Sequence, residues 1–130
     1  MSKTVFFAED DFDDYSFVEH ALKEVAPEYT VLTAQDGVQT IQLLDTLPDH
    51  DMPELIILDY NMPQMDGLET LRVLEDNDRY RSIPKIMYSN GSYKGYIDSC
   101  MHYGAKAFIT KGQTLEQIKK DVKKMLSYCG

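Results

Sequence analysis

The amino-acid sequence predicts an α/β protein built on one parallel sheet, with helices packed against both of its faces. Three observations carry that prediction. Apolar residues switch between strand-like and helix-like spacing through five successive units. Two of the strand candidates, near Val5–Ala8 and Leu55–Leu58, are unbroken apolar runs, as in strands covered on both faces. Each connection is long enough to hold a helix, and βα units in series give right-handed crossovers in a parallel sheet.

The elements can be taken in chain order. A strand over Thr4–Ala8 leads into a helix whose Tyr15, Val18, Leu22 and Val25 fall on one face. The next run, Tyr29–Ala34, alternates Thr30, Leu32 and Ala34 with polar or mixed neighbours, as an edge strand does. A second helix gathers Val38, Ile41, Leu44 and Leu47 behind the capping pattern Asp36-x-x-Gln39. Pro53 stands just ahead of the strand Leu55–Leu58, and Pro84 ahead of Lys85–Tyr88, where a missing N–H interrupts no ladder. Between those strands Leu68, Leu71 and Leu74 form a third stripe behind Asp66-x-x-Glu69. Ile97, Cys100 and Met101 mark a fourth helix, and Lys106–Ile109 a fifth strand. Leu115, Ile118, Val122 and Met125 give the cleanest stripe, behind Thr114-x-x-Gln117. With the second run at an edge and the first and third central, a flavodoxin-like (βα)5 doubly wound sheet of order 2-1-3-4-5 is predicted. A single domain over 1–130 is expected, with its core over about 4–126, no linker and no output domain.

Composition narrows the classes of function. Hydrophobic residues at 43% and charged residues at 27% fit a soluble globular chain. No apolar stretch approaches the roughly 20 residues that span a bilayer. The first residues lack a signal-peptide core, so no membrane partner and a cytoplasmic location are expected. The net charge of -9 would be repelled by phosphate backbones, so no nucleic-acid partner is expected. Cys100 and Cys129 show no paired spacing and read as reduced thiols.

In such sheets ligands bind at the carboxyl ends of the strands, where the connection order reverses between strands 1 and 3. Those two strands run out in Glu9-Asp10-Asp11 and in Asp59. Two like charges 4 Å apart at an effective dielectric near 20 repel by roughly 4 kcal/mol. Carboxylates gathered there therefore need a proton, a lysine or a divalent metal. An oxygen-only donor set favours Mg²⁺ or a similarly hard cation. Asp13 and Asp14 are read differently, as acids at the positive end of the first helix dipole. Strand 4 runs out in Ser89-Asn90-Gly91 and strand 5 in Thr110-Lys111-Gly112, which aims a hydroxyl and an ammonium at the same crevice. There Lys111 can pair with Asp59 and hold a phosphoryl oxygen, and Ser89 can donate to another.

With these residues in view, the sequence resembles the CheY-like receiver domains of two-component response regulators. The resemblance is carried by Val5-Phe6-Phe7-Ala8-Glu9-Asp10-Asp11, by Leu58-Asp59-Tyr60-Asn61-Met62-Pro63-Gln64-Met65-Asp66-Gly67, by Ile86-Met87-Tyr88-Ser89-Asn90 and by Gly104–Lys111. It implies that Asp59 is the phosphoacceptor, and that Glu9, Asp10, Asp59 and the backbone carbonyl of Asn61 hold Mg²⁺. It likewise implies that Ser89 is the switch hydroxyl, Phe108 the switch aromatic and Lys111 the family's lysine, with Asp11 outside the metal shell. The implied partner is a histidine kinase or a histidine phosphotransfer protein. The implied role is phosphoryl acceptance rather than enzymatic turnover, beyond self-phosphotransfer and slow autodephosphorylation. Output is expected through protein contacts at a face carrying Tyr93, Tyr96, Tyr103 and Lys119.

The chain departs from the family pattern at Gly112, where proline with a cis peptide usually follows the lysine. A cis bond to a non-proline residue costs about 2.5–4 kcal/mol, so a trans peptide is expected. Other classes fit less well. An FMN binder would carry a Thr/Ser/Gly-rich phosphate loop where this chain has Glu9-Asp10-Asp11. A haloacid-dehalogenase-like phosphatase expects its Asp-x-Asp on the first strand, and an EF-hand needs Gly and Glu in a register absent here. The remaining alternative is a pseudo-receiver that interacts without phosphorylation, although such modules normally lack one of the residues present here.

Overall fold

Residues 3–91 and 93–129 are described by the computed structural model. Five strands, β1 (Lys3–Ala8), β2 (Tyr29–Ala34), β3 (Leu55–Leu58), β4 (Lys85–Ser89) and β5 (Ala107–Thr110), alternate with helices. The helices are α1 (Phe12–Val25), α2 (Gly37–Thr46), α3 (Gly67–Glu75), α4 (Asp78–Arg81), α5 (Lys94–His102) and α6 (Leu115–Leu126). All strand pairs are parallel and their order is 2-1-3-4-5, as the sequence predicts.

Alternation along the strands builds one core on each face of the sheet. Val5 and Phe7 of β1 join Ile57, Tyr88 and Ile109 under α1 and α6, against Val18, Leu22, Ile118, Val122 and Met125. Phe6 and Ala8 face the other way, with Ile56, Leu58 and Met87, onto Leu44 of α2, Leu71 and Leu74 of α3, and Cys100 of α5. The strand β3 is buried at every residue, which explains its unbroken apolar run.

The three sequence-read caps are present. The Gln39, Glu69 and Gln117 amides donate to Asp36, Asp66 and Thr114 at 2.8, 2.9 and 3.2 Å. Gln39 and Gln117 also reach back and accept from the amides of Gln35 and Gln113, the residues just before the caps, at 2.6 and 3.0 Å. Asp11 caps α1 in the same way, accepting from the Asp14 amide at 3.1 Å.

Three stripe residues are more exposed than their period suggests: Val38 at 40%, Met101 at 43% and Leu115 at 37%. Each sits in the first or last turn of its helix, at the periphery of the apolar face. The sequence gives no sign of the single-turn α4 either. Arg79 of that turn donates to the Leu44 carbonyl at 3.2 Å and pairs with Asp49 at 3.0 Å. Lys85, which opens β4, is fully buried, donates to the Tyr80 carbonyl and lies 3.5 Å from Glu75.

Candidate functional site

Parallel register places the acids. Ala8 and Leu58 are partners across β1 and β3, so the next residues, Glu9 and Asp59, emerge side by side. Their backbones are held by amide bonds from Glu9 to the Ala34 carbonyl at 2.9 Å and from Asp59 to the Ala8 carbonyl at 3.0 Å. Glu9 and Asp59 are buried and Asp10 is exposed; one carboxylate oxygen from each lies within 4.8 Å of the others. The loop after Asp59 folds back tightly. The Gly67 amide donates to the Tyr60 carbonyl at 2.9 Å, and a Cβ at Gly67 would stand 2.3 Å from the Asp59 carbonyl oxygen.

The Lys111 ammonium, only 6% exposed, reaches into this cluster from the end of β5. It donates to Glu9, to Asp14 at 2.7 Å and to Asp59 at 3.2 Å. Burial alone would lower its pKa, but hydrogen bonds to Asp14 and Glu9 and the charges of Asp59 and Glu9 raise it overall. Glu9 moves the other way for a carboxyl. Burial first, then the hydrogen bond with Asp59, pushes its pKa up to about 8, against a smaller pull downward from Lys111. Asn61 is exposed, and its amide donates to Asp59 at 3.3 Å. Ser89 ends β4 fully buried, and among the described residues its hydroxyl has no hydrogen-bond partner. Ser89 also anchors the lysine's backbone, accepting the Lys111 amide at 2.9 Å. Phe108 is half-buried, pairs with Met87 and packs against the core beneath α2, α3 and α5.

All of the sequence-selected groups thus lie at one edge of the sheet, with Phe108 set back on β5. One member was not foreseen. Asp14 is more than a partner of the helix dipole, because its carboxylate shares the Lys111 ammonium. Side chains in a first helical turn lean toward the N-terminus, which returns Asp14 to the strand ends and was a usable signal. Lys119 does not join the tyrosine face; it pairs with Glu24 of α1 at 2.5 Å. Tyr93, Tyr96 and Tyr103 are exposed on or beside α5, and Tyr96 stacks on Tyr60 with centroids 4.3 Å apart. The Lys111–Gly112 peptide is trans, as are all peptides among the described residues. A cleft of about 250 Å³ opens beside Lys111, bounded by Asp14, Phe17, Tyr88, Gly112 and Leu115.

Three carboxylates with no nitrogen or sulfur donor suit a hard divalent cation. The Ser89 hydroxyl, buried and without a partner among the described residues, and the Lys111 ammonium against Asp59 suit an incoming oxyanion. The chain belongs to the response regulator receiver domain family, whose model matches residues 5–123. It is 29% identical over 123 residues to the two-component response regulator ARR15 of Arabidopsis thaliana, a match covering 89% of this chain and 59% of that one. The response regulator Rcp1 of Synechocystis is 23% identical over 129 residues, covering 97% and 88%. Among solved structures, the phosphorylated cyanobacterial phytochrome response regulator RcpA superposes with a TM-score of 0.88 at 26% identity, covering 99% of this chain and 94% of that one. The Mn²⁺-bound form of Rcp1 shares the fold with a TM-score of 0.83 at 23% identity, covering 96% and 92%. So does a receiver domain of the sensor histidine kinase PA1611 of Pseudomonas aeruginosa with magnesium in its cleft, at 0.77 and 17%, covering 98% and 99%. No described helix is long and apolar enough to cross a membrane.

Proposed function

We propose that this receiver accepts a phosphoryl group on Asp59 in a Mg²⁺-dependent reaction, from a histidine kinase or a histidine phosphotransfer protein. A single observation carries the reading: the Lys111 ammonium sits 3.2 Å from the Asp59 carboxylate, while Ser89, whose carbonyl accepts the Lys111 amide, holds a buried hydroxyl with no partner among the described residues. An oxygen of Asp59 attacks phosphorus; the new O–P bond forms as the N–P bond to the donor imidazole breaks, and the imidazole leaves with a proton. Lys111 and Ser89 would hold equatorial oxygens as charge gathers on them. Glu9, Asp10 and Asp59, with the Asn61 carbonyl, are the residues that would hold Mg²⁺, which supplies charge compensation to the phosphoryl oxygens when bound.

The phosphoaspartate is a mixed anhydride, so slow self-hydrolysis accompanies acceptance and no other turnover is proposed. Once an anion stands at Asp59, Ser89 gains a partner and draws inward, and Phe108 fills the space behind it. Signal then leaves by protein contact, through the face that carries Tyr93, Tyr96 and Tyr103.

The test is incubation with acetyl phosphate and Mg²⁺, followed by intact mass. Gain of one phosphoryl group is expected, and none in Asp59→Asn or with the metal chelated. A wild-type chain that gains nothing would leave a phosphorylation-independent interaction module as the better reading.

A further inference from the structure

The turn that carries Lys111 is fastened to α6. Gly112 donates its amide to Asp121 Oδ2 on α6 at 2.9 Å, a bond that proline at this position could not make. The same oxygen accepts the Tyr88 hydroxyl at 2.8 Å. Tyr88 is fully buried in the core under α1 and α6, where burial and then the Asp121 carboxylate push its pKa far up, so it stays a donor. A Cβ on Gly112 would meet Gln117 Cβ at 2.8 Å and Asp121 Oδ2 at 3.0 Å. The absence of a side chain is therefore what lets the turn lie against α6.

These contacts bracket the phosphoryl-binding groups. Tyr88 adjoins Ser89 and Gly112 adjoins Lys111, so one oxygen ties the backbone neighbours of both. A lysine side chain has four rotatable bonds, and its ammonium is only as well placed as the backbone from which it springs. Where the family pattern stiffens this turn with a proline ring, the present chain fastens it from the last helix.

We propose that Asp121 is a positioning residue for phosphoryl transfer, its Oδ2 holding the Lys111 turn in reach of Asp59 by accepting from Gly112 and Tyr88 together. This rests on the phosphoacceptor reading above.

The experiment uses the full chain with acetyl phosphate at saturating Mg²⁺. It compares the initial rate of Asp59 phosphorylation by intact mass, the Mg²⁺ affinity by calorimetry, and Tm. Misplacement on the ångström scale slows positioned chemistry by as much as about a hundredfold, and a partly tethered turn should give roughly tenfold in Asp121→Ala. Mg²⁺ affinity should be unchanged in that variant. Asp121→Asn retains one oxygen able to accept both bonds and should restore most of the rate. Val122→Ala, one residue along the same helix and buried in its core, should lower Tm without slowing the reaction.

A wild-type rate in Asp121→Ala overturns the inference. So does an equal slowing in Val122→Ala at matched Tm, or an Asn variant as slow as the alanine one. If Asp121→Ala does not fold, Asp121→Ser, too short for both donors, replaces it under the same expectations. A wild-type chain that takes no phosphoryl group would instead sink the phosphoacceptor reading itself.

Discussion

Lys111→Met should unsettle the apo protein in a pH-dependent way. The ammonium lies 2.7 Å from Asp14 and 3.2 Å from Asp59. At an effective dielectric near 20 these attractions amount to about 6 and about 5 kcal/mol before desolvation is counted. Returning the ammonium to water offsets most of that, and removing one partner of a buried pair leaves a net loss of about 3–5 kcal/mol. Asp14 is only partly buried, which argues for about 3 kcal/mol. Glu9 sets the pH window. Its folded pKa, near 8, exceeds its ordinary 4.5, so its contribution is full below 4.5 and is lost as pH rises through 8. Without Lys111 the downward pull on Glu9 disappears, so both proteins should lose stability alike up to about pH 8, and above it the variant should go on losing stability and fall further behind wild type. Mg²⁺ should raise its urea midpoint more than it raises that of wild type, because a cation then replaces the missing one. Urea unfolding followed by circular dichroism at several pH values, with and without Mg²⁺, checks all three expectations. A variant as stable as wild type near pH 8, or a loss indifferent to both pH and Mg²⁺, would refute the charge accounting.

Three further outcomes are expected. Mg²⁺ binding should tighten between pH 4.5 and 8 as Glu9 gives up its proton, and calorimetry in buffers of different protonation enthalpy should register that release. Gly67→Ala places a methyl 2.3 Å from the Asp59 carbonyl, and should lower stability by about 1–3 kcal/mol while also slowing acetyl-phosphate labelling. Asp36→Ala removes the α2 cap and should lower stability by about 1 kcal/mol, measured by urea midpoint, with labelling unchanged.

The strands and their order were legible because β1 and β3 are covered on both faces and read as continuous apolar runs. The site was legible for a related reason: a charged residue that abruptly ends such a run has nowhere to go but the sheet edge. Asp36, Asp66 and Thr114 were legible because capping is local, resolved within three residues. What escaped was tertiary. The partnership of Asp14 with Lys111 spans 97 positions, and helical period fixes a residue's side without saying what stands opposite. The clamp of Tyr88 and Gly112 on Asp121, the buried Lys85 and the pairing of Lys119 with Glu24 are hidden for that reason. Val38, Met101 and Leu115 belong to genuine stripes, yet periodicity does not tell where a helix passes beyond its cover.

Because β3 is hydrogen-bonded along both edges and shielded above and below, its amides meet solvent only when the whole sheet parts. Asp59 hangs directly from the end of that strand. Breathing of the surrounding turns can open and close the approach to it, but cannot carry the acid itself away.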